Sequence, residues 1–137
     1  MDIREITPRY SVSPQINPED LAAIKAAGFT KVICNRPDVE IPPSHHAEVM
    51  AQAAQAAGLE FFVLPLTHQT MTPENVALQM EAAAASDGPV LAYCASGTRC
   101  SVVWSLGHKG ILSADEILAA TARAGYDLSG LRSALES

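Results

Sequence analysis

The sequence predicts an α/β fold: a mostly parallel central sheet with helices on both faces, in three layers. Three observations predict it. Short β-branched or apolar runs alternate with Ala-rich helical patterns, Gly and Pro stand at most joints, and the connections are long enough for crossover helices. The 137 residues suit one domain spanning 1–137, with no internal repeat, charged tail or linker to divide it.

Each element carries its own signal. Tyr10–Ser13 reads as a short first strand. Asn17-Pro18-Glu19-Asp20 then offers an N-cap residue, a Pro at the first helical position and acids in the first turn, and Gly28 ends that helix. Lys31–Cys34 is a β-branched strand. A Pro-rich loop runs from Asn35 to Ser44, and an Ala-rich helix follows up to Gly58. Leu59–Leu64 is the next strand. Thr72-Pro73-Glu74 repeats the cap, Pro and acid signature, opening a helix that ends before Asp87-Gly88. Pro89–Tyr93 is a buried strand leading into Cys94. Three helical pieces close the chain: one from near Arg99, one capped by Ser113 with Glu116 in a capping box, and one from about Ser129.

Composition narrows the function classes. The net charge is −6 and no stretch clusters Lys or Arg, which argues against a nucleic-acid partner. No run approaches the roughly 20 apolar residues that a membrane span needs. Met1-Asp2-Ile3-Arg4-Glu5 lacks the apolar run of a signal peptide, so a cytoplasmic location is expected. The three cysteines have no metal-type spacing, and His45, His46, His68 and His108 form no ligand pattern. Neither a metal nor a cofactor is expected.

Open parallel sheets bind ligands outside the carboxyl ends of their strands. Cys94 falls there, as do the loops after the second and third strands with Asp38 and His68. The segment after Tyr93 reads Cys94-Ala95-Ser96-Gly97-Thr98-Arg99-Cys100-Ser101. A strand, a tight loop of small residues and a helix start together make an anion cradle. The N–H groups of Ala95 to Arg99 can turn inward, and the helix adds its positive end. Gly97 permits angles that a side chain would forbid. Arg99 supplies a planar fork for an oxyanion. A thiol inside such a ring should ionise near or below neutral pH, which makes Cys94 a nucleophile. Ser101 can donate to that thiolate or to a leaving sulfur.

The remaining candidates are weaker. Cys100 is a resolving thiol for a Cys94 persulfide, a disulfide partner, or simply a small residue packed in the first turn of the helix. Asp38 reads first as a turn residue after Arg36-Pro37, and is otherwise the available proton donor. Trp104 is core that braces the loop.

The Cys94 to Trp104 segment, Tyr10-Ser11-Val12-Ser13 and Ile33-Cys34-Asn35-Arg36-Pro37-Asp38 resemble the beta-lactamase-hydrolase-like, phosphatase-like domain family. The resemblance implies a protein-tyrosine-phosphatase-like fold, with company among sulfide-oxidation proteins. The cysteine loop itself, however, places four residues between Cys94 and Arg99, where tyrosine phosphatases place five. In that respect it resembles rhodanese-like sulfurtransferases. No carboxylate stands in Pro65-Leu66-Thr67-His68-Gln69-Thr70-Met71 to protonate a leaving oxygen. The expectation is therefore transfer of sulfane sulfur through a Cys94 persulfide, with thiosulfate or a persulfide as donor. A phosphatase-like hydrolase acting on phosphoesters through a Cys94 thiophosphate is the alternative, and a thiol sensor of reactive sulfur or oxidants the second.

Overall fold

The computed structural model describes residues 1–137. Five strands form one sheet in the order β1-β2-β5-β3-β4: Arg4–Thr7, Tyr10–Ser13, Val90–Tyr93, Lys31–Cys34 and Glu60–Val63. β2, β5, β3 and β4 run parallel, while β1 pairs antiparallel with β2. Six helices complete the fold: α1 (Leu21–Ala26), α2 (Ala47–Ala57), α3 (Pro73–Ala84), α4 (Thr98–Gly107), α5 (Ala114–Arg123) and α6 (Arg132–Glu136).

The three-layer architecture comes from how the strands alternate. Val90, Ala92 and Cys94 face one core with Trp104, Ile117 and Leu135, from α4, α5 and α6. Leu91 and Tyr93 face the other, with Ile24 and Met50 from α1 and α2. β5 is buried along its whole length, which explains why its sequence shows no polar alternation.

The capping box at α5 is present: Ser113 Oγ accepts from Glu116 N at 3.1 Å and Glu116 Oε1 accepts from Ser113 N at 3.0 Å. Two expectations need correction. The N-terminal Arg4–Thr7 strand gave no sequence signal, being short, half polar and irregular in register between Glu5 and Thr7. The signature at Pro18 opens a 3-10 turn, Pro18–Asp20, before α1 begins at Leu21. No helix is long and apolar enough to cross a membrane.

Candidate active site

The sheet reverses its winding at β5, which lies between β2 and β3, and the chain leaves that strand at Cys94. Cys94 N donates to Ser13 O at 3.4 Å, so the first loop residue is still tied to β2. The chain then turns into α4 through Gly97 at φ +92°. That angle suits glycine, and a Cβ there would run into the Tyr126 hydroxyl. Tyr126 in turn donates to Ser96 O at 2.9 Å and pins the loop from outside.

The ring of donors forms around the sulfur. Gly97 N donates to Cys94 Sγ at 3.1 Å. The Cys94 thiol is pushed down to about 5, first by the Cys100 thiol beside it, against the opposing effect of burial. The N–H groups of Cys100, Gly97 and Ser96 add to the stabilisation. Cys100 is fully buried, and its own thiol is pushed well up by that burial and by Cys94. It is therefore the neutral donor of the pair. Thr98 N departs from the expected ring, donating instead to Ser96 Oγ at 3.3 Å. Ser101 departs as well: its hydroxyl donates to Gly97 O at 2.8 Å, a bond that closes the loop rather than one to the thiolate.

Arg99 is held by residues far away in sequence. Its Nη1 donates to Glu40 Oε2 at 2.9 Å and to Leu66 O at 2.8 Å, and its Nη2 donates to Glu40 Oε1 at 2.8 Å. Glu40 also accepts from Arg36 Nε at 3.3 Å. The Arg99 guanidinium holds the Glu40 carboxyl below its ordinary range. The end-on edge of Arg99 is thus occupied. The side-on edge, its Nε–H and second Nη2 hydrogen, is left for a two-oxygen ligand. Glu40 gave no signal in the sequence, because the contact joins positions 59 apart. The 3-10 turn Asp38–Glu40 brings it there.

Asp38 sits on the same turn and serves α2. Its Oδ1 accepts from Ala47 N at 2.8 Å, filling one of the unpaired donors at the helix start, and its Oδ2 lies 3.9 Å from His46 Nδ1. His68 does reach the site. It lines a polar cavity of about 380 Å³ with Glu40, Thr67, Gln69, Ser96, Thr98 and Arg99, a cavity without any apolar side chain. Ala95 is exposed at the rim, and its carbonyl accepts from Gln15 N at 3.3 Å. No group of three or more His, Cys, Asp or Glu side chains is gathered for a metal. The arrangement offers an oxyanion-binding edge at Arg99 and, near enough to interact with its charge, an ionised Cys94 thiol buried beneath the loop.

A mostly parallel sheet with the order above, a cysteine at its central carboxyl end and an arginine on the next helix define a phosphatase-like domain of protein-tyrosine-phosphatase-like fold. The family model described as "Beta-lactamase hydrolase-like protein, phosphatase-like domain" matches residues 2–111, and the chain belongs to that family. It is 30% identical over 130 residues to a beta-lactamase hydrolase-like protein of Xylella fastidiosa, covering 93% of this chain and 30% of that relative. It spans under a third of the length of the curated relatives it matches.

Among solved structures, a candidate phosphatase of Neisseria meningitidis is 30% identical with a TM-score of 0.88, covering 99% of this chain and 97% of that one. TpbA of Pseudomonas aeruginosa, solved with phosphotyrosine, shares the fold at a TM-score of 0.63 and 17% identity, over 99% of this chain and 91% of that one.

Proposed function

We propose that the chain is a cysteine-dependent hydrolase of phosphate monoesters acting through a Cys94 thiophosphate. The observation that carries the reading is the buried Cys94 thiolate, stabilised by the loop's N–H groups and close enough to Arg99 for their charges to interact. Hydrolysis displaces sulfur transfer as the first choice because the family and the Neisseria meningitidis structure are both described as phosphatase-like.

In this reading Arg99 and the loop N–H groups bind the phosphoryl oxygens and align phosphorus with the sulfur. The Cys94 sulfur attacks phosphorus, and the ester P–O bond breaks. The departing oxygen needs a proton. Asp38 is committed to α2 and Glu40 to Arg99, so the role falls to His68, the remaining titratable side chain of the polar cavity. Water then attacks phosphorus, giving its proton to His68. The S–P bond breaks, and Cys94 returns as thiolate with inorganic phosphate released.

One observation favours a second reading. Four residues separate Cys94 from Arg99, and no uncommitted carboxylate faces the loop. Both features suit a leaving group, sulfite or a thiolate, that departs without a proton. Here the Cys94 thiolate would attack the outer sulfur of thiosulfate or a persulfide. The donor's S–S bond would break and sulfite or a thiolate would depart, leaving one sulfur on Cys94, with sulfide-oxidation proteins as partners.

Intact-mass spectrometry after treatment with an aryl phosphate and, separately, with thiosulfate tests the two readings on one preparation. The first predicts steady release of phosphate and a phosphoryl adduct trapped on Cys94 by acid quench. A cyanide-labile adduct of one sulfur, with no phosphate released, would install the second.

A further inference from the structure

The site has a polar head and an apolar continuation. The polar cavity above Arg99 shares His68 and Thr98 with a neighbouring cavity of about 510 Å³ between α4 and the chain's C-terminal segment. That cavity is walled mainly by Met71, Val102, Leu106, Leu128 and Leu131. Met71 and Leu106 also line a third cavity of about 450 Å³, with Val76 and Met80 of α3. The change from a wall without apolar side chains to one dominated by them falls at Thr98, one residue from Arg99. Open apolar surface running directly out of an anion site matches a ligand that is charged at one end and hydrocarbon beyond it.

We propose that the substrate of this site is an amphiphile, a phosphate monoester whose apolar chain lies in the groove from Thr98 past Met71. The inference rests on the phosphoryl reading above for its head group. The charges on the groove decide the class further. Asp127 is the carboxylate on the wall of the second cavity, kept ionised by Ser129 N and its hydroxyl, and Lys109 is the cation on the wall of the third. A second phosphate beside Asp127 would meet repulsion, so the stretch of ligand next to Thr98 is favoured as neutral chain. The two methionines suit a flexible chain, because an unbranched thioether side chain adapts to irregular apolar shapes.

Titration calorimetry with ethyl, hexyl and decyl phosphonate tests this, since these head groups bind without turnover. Used below their micelle concentrations, they should bind about twofold tighter per added methylene, because an open groove removes about half of each methylene's surface from water. Met71→Gln and Leu131→Gln should each flatten the chain-length dependence, and Met71→Leu should restore it. The ratio of decyl to ethyl affinity is the readout, and a general disturbance of the site would not move it. Affinity for the short phosphonates without any dependence on chain length overturns the groove and leaves the anion site standing. A chain-length gain indifferent to both Gln variants also overturns it, as does a groove closed by a second copy, visible as a dimer in solution scattering. Failure of every phosphonate, short and long, to bind would instead remove the phosphoryl reading itself.

Discussion

Cys34 ends β3 and Cys94 directly follows the neighbouring parallel strand β5, both at the carboxyl end of the sheet and both buried. Burial pushes the Cys34 thiol up, while the Cys94 thiol is pushed down to about 5. The difference lies in the segment just past each strand. After Cys34 the chain runs into Asn35-Arg36-Pro37, and its Sγ donates to Arg36 O at 3.5 Å, a contact that suits the neutral thiol. After Cys94 the chain curls back as a ring of N–H donors, with the Cys100 thiol behind it. The pair teaches that donor geometry outweighs desolvation here. A sheet edge makes a thiol structural or reactive according to the loop that it feeds.

The comparison breaks most visibly by deletion. Cys94→Ser should lower turnover about 10³-fold or more, because the nucleophile is lost while the bowl remains. Cys34→Ser should leave kcat/KM nearly intact, and steady-state kinetics on the two variants checks both. Comparable losses in the two would mean that the edge, and not the loop, matters.

Arg99→Lys sharpens the electrostatic half of the difference. Lys cannot hold Glu40 end-on while offering a side-on edge to substrate, so kcat/KM should fall about 10²-fold, close to the loss in Arg99→Ala. A fully active Lys variant would reduce Arg99 to a point charge.

Gly97→Ala probes the turn that Cys34 lacks. Its positive φ and the Tyr126 hydroxyl both oppose a methyl group, and the variant should lose about 1–3 kcal/mol in urea unfolding. An unchanged midpoint would mean that the loop yields without cost.

Much of the molecule was legible in the residues themselves. The Lys-Val-Ile-Cys strand, the Ser113 capping box and the loop from Cys94 to Arg99 are local patterns, and each formed where local physics put it. The supports of the site were not legible. Glu40 reaches Arg99 across 59 positions, and Tyr126 braces Ser96 across 30, so neither contact leaves a periodic trace. Cys100 was visible as a neighbour of Arg99, but whether its thiol points at Cys94 depends on the helix direction. Ser101 was visible too, and its hydroxyl turned to Gly97 O because that carbonyl lies one helical turn back. Loop length pointed to sulfur before phosphorus, since spacing is the strongest feature a single chain displays.

The proposed function requires the loop donors to keep Cys94 ionised at neutral pH. Thiolate absorbance followed across pH, as the difference between wild type and Cys94→Ser, measures that ionisation directly. The midpoint should lie near 5 and move upward in Cys100→Ala, because the leading donor is gone, with the Cys34 thiol silent until alkaline pH. A Cys94 midpoint near the ordinary thiol value of about 8.5, unmoved by Cys100→Ala, would contradict the proposed role of the loop.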